Sequence, residues 1–194
     1  MEQLHYKVYK PGRMLCQMDS GEERQRRKKR FLSELYNFPD GIMPIGRLDE
    51  NSEGLLLMTT DGKLSDTINN SGIEKEYLAQ LDGIITLDAI AQLETGITIG
   101  IFGKDYLTKP CIATILTEEP ILPDAHPLLR IGRHRPTSWI SITITEGKFR
   151  QIRKMTAALG FPTVRLVRVR IGTILLADMQ PGTVLELNDE VIRI

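Results

Sequence analysis

This 194-residue chain is short of several things that would announce a function outright. It has two cysteines, Cys16 and Cys111, too few for a disulfide framework. Its three histidines, His5, His126 and His134, are scattered, so no zinc-ligand spacing appears and no metal is expected. No apolar run approaches the roughly 20 residues that span a bilayer, and the N-terminus lacks the charged-then-apolar layout of an export signal. Repeats and low-complexity tracts are missing as well. Aromatic residues make up only 6% of the chain, yet a hydrophobic content of 41% is enough to build a core. The expectation is a soluble, cytoplasmic protein with no membrane partner: residues 1–194 form a single domain, or two intimately packed halves.

Net charge is zero, and its distribution says more than its sum. Residues 1–97 carry 12 Lys/Arg against 16 Asp/Glu, whereas residues 98–194 carry 13 against 9. Within 130–170 ten basic residues face the single acid Glu146, and the run "RQRRKKR" at 24–30 adds six more. Two basic zones on a neutral chain suggest a polyanion met by one face, although such zones are often only solvated surface.

The pattern of residues implies an α+β chain with a largely antiparallel sheet. "HYKVY" (5–9) reads as a first strand. Ser20 and Glu23 have capping-box spacing and open a helix through 20–36, with Phe31, Leu32, Leu35 and Tyr36 as its buried face. "IMPI" and "GLLLM" (54–58) read as strands, the second apolar enough to be covered on both faces. A short helix follows near 62–69, and "EKEYLAQLDG" (74–83) alternates like a strand. The next helix runs from about Thr86 to Glu94 and ends at Gly96. Strands are expected near 106–117 and 138–145, flanking a loop with Pro120, Pro123, Pro127 and Pro136. Segment 147–160 is an amphipathic helix that places Arg150, Arg153 and Lys154 opposite Ile152, Met155, Thr156 and Leu159, stopped by Gly160 and Pro162. In "TVRLVRVRIG" Arg168 and Arg170 alternate with Val167, Val169 and Ile171, which predicts a strand with a cationic face. The alternation breaks at Leu166–Val167, where a bulge or kink is expected.

One short stretch asks for a chemical reading. In "GRLDENSEGLLLMTTDG" (46–62), Arg47 and Asp49 stand in a polar loop that leads into an apolar strand. A lone aspartate there ordinarily caps its own backbone. It can also be a carboxylate held in one place yet within reach of a substrate.

Three segments together resolve the choice. "GRLDENSEGLLLMTTDG", "EKEYLAQLDG" and "TEGKFRQIRKMTAALGFPTVRLVRVRIG" resemble the motifs of RNA pseudouridine synthases, in particular the bacterial branch that modifies ribosomal RNA. "YKVYKPGRMLCQ" (6–17) resembles the first motif of the family, so the likeness covers nearly the whole chain. One departure is that Gly12 directly follows Lys10-Pro11, which puts Arg13 at the usual glycine position. The "PTSW" lead-in within 133–163 resembles the compact single-domain type that acts on large-subunit ribosomal RNA. The small N-terminal RNA-binding domain of many relatives, the S4-like domain, is not expected in this chain.

The resemblance implies a fold, a reaction and a site. The fold is a bent, mostly antiparallel mixed sheet flanked by helices, with a central RNA-binding cleft. The reaction is isomerisation of uridine to pseudouridine, without metal or organic cofactor. Cleavage of the N1–C1′ bond develops oxocarbenium-like charge that a carboxylate stabilises or traps. Asp49 matches the essential aspartate, acting either on C1′ or on the C2′ proton. Tyr77 matches the tyrosine that lies against the uracil, and Arg153 the basic residue that pairs with the aspartate. The target base has to be flipped out of structured RNA, with Arg47 placed to hold its phosphate or fill the gap. Arg26, Arg27, Lys28, Lys29, Arg133, Arg135, Lys148, Arg150 and Lys154 are the candidate RNA contacts. The partner implied is large-subunit ribosomal RNA or an assembling ribosomal particle, met by a monomer. The alternatives are a synthase for small-subunit ribosomal RNA or transfer RNA, and a catalytically silent RNA-binding protein.

Overall fold

Seven consecutive residues, Glu53–Thr59, are all buried, as the unbroken apolar run within them requires of a strand covered on both faces. They form the third strand of a computed structural model that describes residues 3–132 and 135–192. In chain order the elements are β1 (His5–Lys10), α1 (Glu23–Lys28), a 3-10 turn (Leu32–Glu34), β2 (Met43–Ile45), β3 (Glu53–Thr59), α2 (Gly62–Asn70), β4 (Lys75–Asp82) and α3 (Leu87–Thr95). They continue with β5 (Thr98–Ile101), β6 (Lys104–Leu107), β7 (Ile112–Leu116), β8 (Thr137–Ile144), α4 (Gln151–Ala158), β9 (Thr163–Ile171), β10 (Ile174–Leu175), β11 (Val184–Leu187) and α5 (Asp189–Ile192). The chain divides into two compact units, one of residues 1–73 and 168–194, the other of residues 74–167.

In the first unit the strand order is β11-β1-β3, with the end of β9 next to β3 and β2 pairing with β3. β1 is antiparallel to β3 over six residue pairs, from His5↔Thr59 to Lys10↔Gly54. Tyr6, Val8, Leu56 and Met58 pack with Met14, Cys16, Leu32 and Ile42 into one apolar cluster. Gly54 is required where it stands: its φ is 99°, and a Cβ there would lie 2.3 Å from the Arg168 carbonyl oxygen. Asp61 caps α2 by accepting from the N–H groups of Lys63 and Leu64, an arrangement worth about 1 kcal/mol.

In the second unit β4 pairs with β8 over eight antiparallel positions, and β7 pairs with the other edge of β8. The first residues of β9 lie beside β4. α3 begins at Thr86, whose hydroxyl accepts from Ala89 N–H, and ends at Gly96. β5 and β6 form a separate hairpin whose two connecting residues, Phe102 and Gly103, both have positive φ. That turn matches the right-handed twist of the strands it joins. The pairs β1–β3, β4–β8, β7–β8 and β5–β6 are all antiparallel, in line with the expected fold class.

Four expectations need correction. The helix expected over 20–36 is only Glu23–Lys28, and none of its residues is buried. With no apolar face to dock and five cations in succession, nothing prolongs it. The chain then runs extended, with Leu15 N–H bonded to Arg30 O and Leu32 N–H bonded to Gln17 O. Phe31 and Leu32 are therefore buried from outside the helix. The strand expected over 106–117 is two strands, β6 and β7, interrupted around Pro110, which has no N–H to give a ladder. The helix expected over 147–160 starts only at Gln151, because Arg150 is left-handed at φ 53°. Finally, β9 does not present the expected cationic face to solvent: Arg168 is 4% exposed and Arg170 half-buried, and Arg165 earlier in the strand is 5% exposed. Arg165 donates to Pro123 O at 2.7 Å and Arg168 to Leu55 O at 2.7 Å. The break in alternation at Leu166–Val167 falls where β9 passes from one unit to the other.

Candidate functional site

Asp49 belongs to the first unit. β2 ends at Ile45, Gly46 turns the chain at φ 68°, and the loop runs to the start of β3 at Glu53. Leu48 is buried and anchors the loop, while Arg47 is exposed and Asp49 half-buried. Ser52 N–H donates to Asp49 O at 3.0 Å and closes the turn. The carboxylate is thus carried by a short segment pinned by a buried leucine and a closed turn.

Beneath this loop lies Lys10, at the end of β1 and 0% exposed. Its ammonium donates to three carbonyls, Pro11 O at 2.8 Å, Met14 O at 2.7 Å and Glu50 O at 3.4 Å. Burial pulls it down to about 8, against the opposing charges of Cys16, Glu53, Glu50 and Asp49. Lys10 therefore joins the first-motif loop to the segment that carries Asp49. In the sequence it stood out only as part of a motif. The available signal was a lysine that ends a strand and is followed directly by proline. Arg13 in the same loop is left-handed at φ 62°, the conformation for which glycine is the ordinary choice.

The expected RNA contacts of the first unit are mostly neutralised by acids. Arg26 pairs with Asp19 at 2.8 Å, Arg27 with Glu23, and Lys29 with Glu50 at 2.8 Å. Arg30 pairs with Glu34 at 3.0 Å. Lys28 is exposed.

Tyr77 and Arg153 belong to the second unit. Tyr77 is 8% exposed on β4, opposite Ile142 of β8, on the strand face shared with Ala79 and Leu81. Arg153 is half-buried in the first turn of α4 and donates to Thr163 O at 3.0 Å. Thr156 and Thr163 bond through their hydroxyls at 2.8 Å, so the helix is fastened to the start of β9.

Glu146, noticed in the sequence only as a lone acid, organises the entry to α4. Its carboxylate accepts from Tyr106 OH at 2.5 Å, Lys109 N–H at 2.9 Å and Gln151 Nε2 at 2.6 Å. Burial pushes Glu146 up, but these hydrogen bonds and the Lys148 charge prevail and hold it below the ordinary carboxylate range. Lys148 lies 5.0 Å from the Tyr106 ring centroid and Lys154 5.1 Å from that of Phe149. Arg150 is exposed. Arg135 pairs with Asp82 at 3.2 Å and donates to Gly160 O at 2.9 Å. Arg133 lies outside the described residues. Burial, then Glu94 and Glu146, push the Cys111 thiol up to about 11, which rules it out as a ready nucleophile. Among the described residues no group of three or more His, Cys, Asp or Glu could hold a metal, and no helix is long and apolar enough to cross a membrane.

Residues 5–158 match the family model described as RNA pseudouridylate synthase, and the chain belongs to that family of enzymes. Among curated proteins it is 37% identical over 175 residues to ribosomal large subunit pseudouridine synthase E of Xanthomonas campestris, covering 89% of each chain. It is also 37% identical to the protein of that name from Vibrio parahaemolyticus, covering 89% of this chain and 69% of that one. It is 35% identical to ribosomal small subunit pseudouridine synthase A of Escherichia coli, covering 76% of this chain and 56% of that protein. A crystal structure described as pseudouridylate synthase superposes with a TM-score of 0.77 at 26% identity, covering 98% of this chain and 73% of that one.

Proposed function

We propose that this enzyme isomerises a uridine of large-subunit ribosomal RNA to pseudouridine, using Asp49 on a flipped-out nucleotide. The observation that carries this reading is the 37% identity, along 89% of both chains, to a relative named for large-subunit activity. The small-subunit relative is matched over barely more than half its length. The reaction balances within one substrate. The N1–C1′ bond breaks, the uracil turns, C1′ bonds to C5, the C5 proton leaves to solvent, and N1 takes up a proton. Asp49 serves by attacking C1′ in a bond that C5 then displaces, or by removing the C2′ proton and returning it once C1′ has bonded to C5. A half-buried carboxylate in a pinned loop suits either role. Tyr77 supplies a rigid aromatic wall for the base. Arg153 is assigned to the reaction because the segment that carries it matches the basic motif of the family.

The test combines two measurements. Tritium release from 5-tritiated uridine in ribosomal RNA reads turnover. Carbodiimide and primer-extension mapping of RNA from cells with and without the gene reads the position. A stop that disappears from large-subunit RNA on deletion is the expected result. A stop lost from small-subunit or transfer RNA overturns the substrate assignment, and no release from any RNA overturns the activity.

A further inference from the structure

Phe102 occupies the tip of the β5–β6 hairpin and is 83% exposed, an unusual place for a phenylalanine. Its φ is 49°, in the left-handed region where asparagine or glycine would sit with least strain. Its ring stacks on Phe149, itself 52% exposed, with centroids 5.5 Å apart and planes inclined by 19°. Phe149 is followed by a second left-handed residue, Arg150 at φ 53°, which also has a long side chain. Neither ring contributes to the buried core, yet strained backbone holds the pair outward. Such strain persists where the surrounding structure imposes it, and it clusters at ligand-binding positions.

The surroundings specify the ligand. Lys154 lies 5.1 Å from the Phe149 centroid and is steadied by a 2.6 Å hydrogen bond to Gly100 O. Lys148 lies over Tyr106, and Arg150 is exposed. The nearby acid Glu146 accepts from Tyr106, Lys109 and Gln151, and the hairpin's own Lys104 and Asp105 sum to zero formal charge. Flat apolar rings interleaved with cations suit a nucleobase joined to phosphates better than they suit a protein surface.

We propose that Phe102 and Phe149 form a stacking platform for an unpaired base of the substrate RNA, with Lys148, Arg150 and Lys154 meeting the flanking phosphates. The proposal rests on the reading of the substrate as RNA and assigns these two rings a role in holding it. The base stacks on the exposed Phe102 ring, and Phe149 backs that ring from beneath.

The probe is a short single-stranded oligoribonucleotide carrying 2-aminopurine, titrated into the full chain. Wild type should quench its emission on binding. Phe102→Asn accepts the left-handed backbone and removes the ring. It should weaken binding about five- to a hundredfold, the range that loss of one aromatic stack gives. Phe149→Ala should act in the same direction, whereas Phe102→Trp should retain or improve binding. The salt slope should not change, because no cation is removed. With ribosomal RNA as substrate, KM should rise in step and kcat should change less. Thermal melts establish that each variant is folded. Binding within twofold of wild type by folded Phe102→Asn and Phe149→Ala overturns the platform, as does a change in molar mass by light scattering with RNA affinity intact, which would mark a contact between copies. If wild type quenches the probe as expected but releases no tritium from ribosomal RNA, the proposed activity fails while the platform stands. Normal turnover by variants that bind normally does the reverse.

Discussion

In the run 24–30, Arg26 faces Asp19, Arg27 faces Glu23, Lys29 faces Glu50 and Arg30 faces Glu34, all by ion pairs at or near the surface. In the segment 148–154 two lysines lie instead on aromatic rings and a carbonyl oxygen: Lys148 on Tyr106, Lys154 on Phe149 and Gly100 O. The one acid beside them, Glu146, accepts from three neutral donors and also feels the charge of Lys148. A count of basic residues rates both stretches as polyanion sites. What they can offer a phosphate differs, because an ion-paired cation must first exchange its carboxylate, whereas a cation over a ring keeps its full charge. Potential at a surface follows the nearest counter-charge rather than the local tally of lysine and arginine.

The largest expected effect lies outside both zones and tests whether they are only binding surface. Asp49→Asn keeps shape and removes charge, so turnover should fall at least about a hundredfold, with fold and RNA affinity retained. Tritium release beside a thermal melt measures this. Substantial release by the folded variant would return Asp49 to the role of a turn residue.

Lys148→Ala with Lys154→Ala should flatten the salt dependence of RNA binding by roughly 1.4–1.8 in log–log slope, the value for two phosphate contacts. Replacing Arg26, Arg27, Lys28 and Lys29 with Ala should flatten it by less per cation. Equal change per residue in the two sets would erase the distinction between the two zones.

A smaller effect concerns the lysine that shares Glu50 with Lys29. Lys10 has a folded-state value of about 8, below its ordinary 10.5, because of burial. The unfolded chain therefore binds more protons between those values, and stability should rise with pH from about 8 to about 10.5. The gain should not exceed about 1.4 kcal/mol per pH unit, and below pH 8 the full penalty of burying the charge is present. Melts of wild type and Lys10→Met across this range should diverge in the direction of wild type. Parallel curves would remove Lys10 as their cause. The smallest effect is the coupling between Arg27 and Glu23, both exposed and one helical turn apart. A double-mutant cycle should give about 0.3–0.5 kcal/mol. A value above about 1 kcal/mol would make the first zone far more rigid than its exposure implies.

Much of this protein was legible before any coordinates. The apolar run of Gly54–Met58, the alternation in Lys75–Asp82 and the caps Thr86 and Gly96 are local signals, and each became the expected element. The order of four motifs located the family and placed Asp49, Tyr77 and Arg153 on a loop, a strand and a helix. The basic run illustrates the limit: capping-box spacing and later apolar residues suggested one long helix, yet six residues form it. Phe31 and Leu32 belong instead to a segment bonded back to residues 15 and 17.

What only tertiary structure decided is the fate of charge. Arg168 alternates with valines as if to face water, yet it is buried against Leu55 O, and Arg165 is buried against Pro123 O. Lys10 is buried on three carbonyls, and Phe102 is held out in solvent against its own preference. Periodicity and capping act over a few residues, so sequence alone determines them. The acceptors that make a buried cation tolerable come from 42 and 113 residues away for the two arginines, and no local pattern encodes which segments will meet.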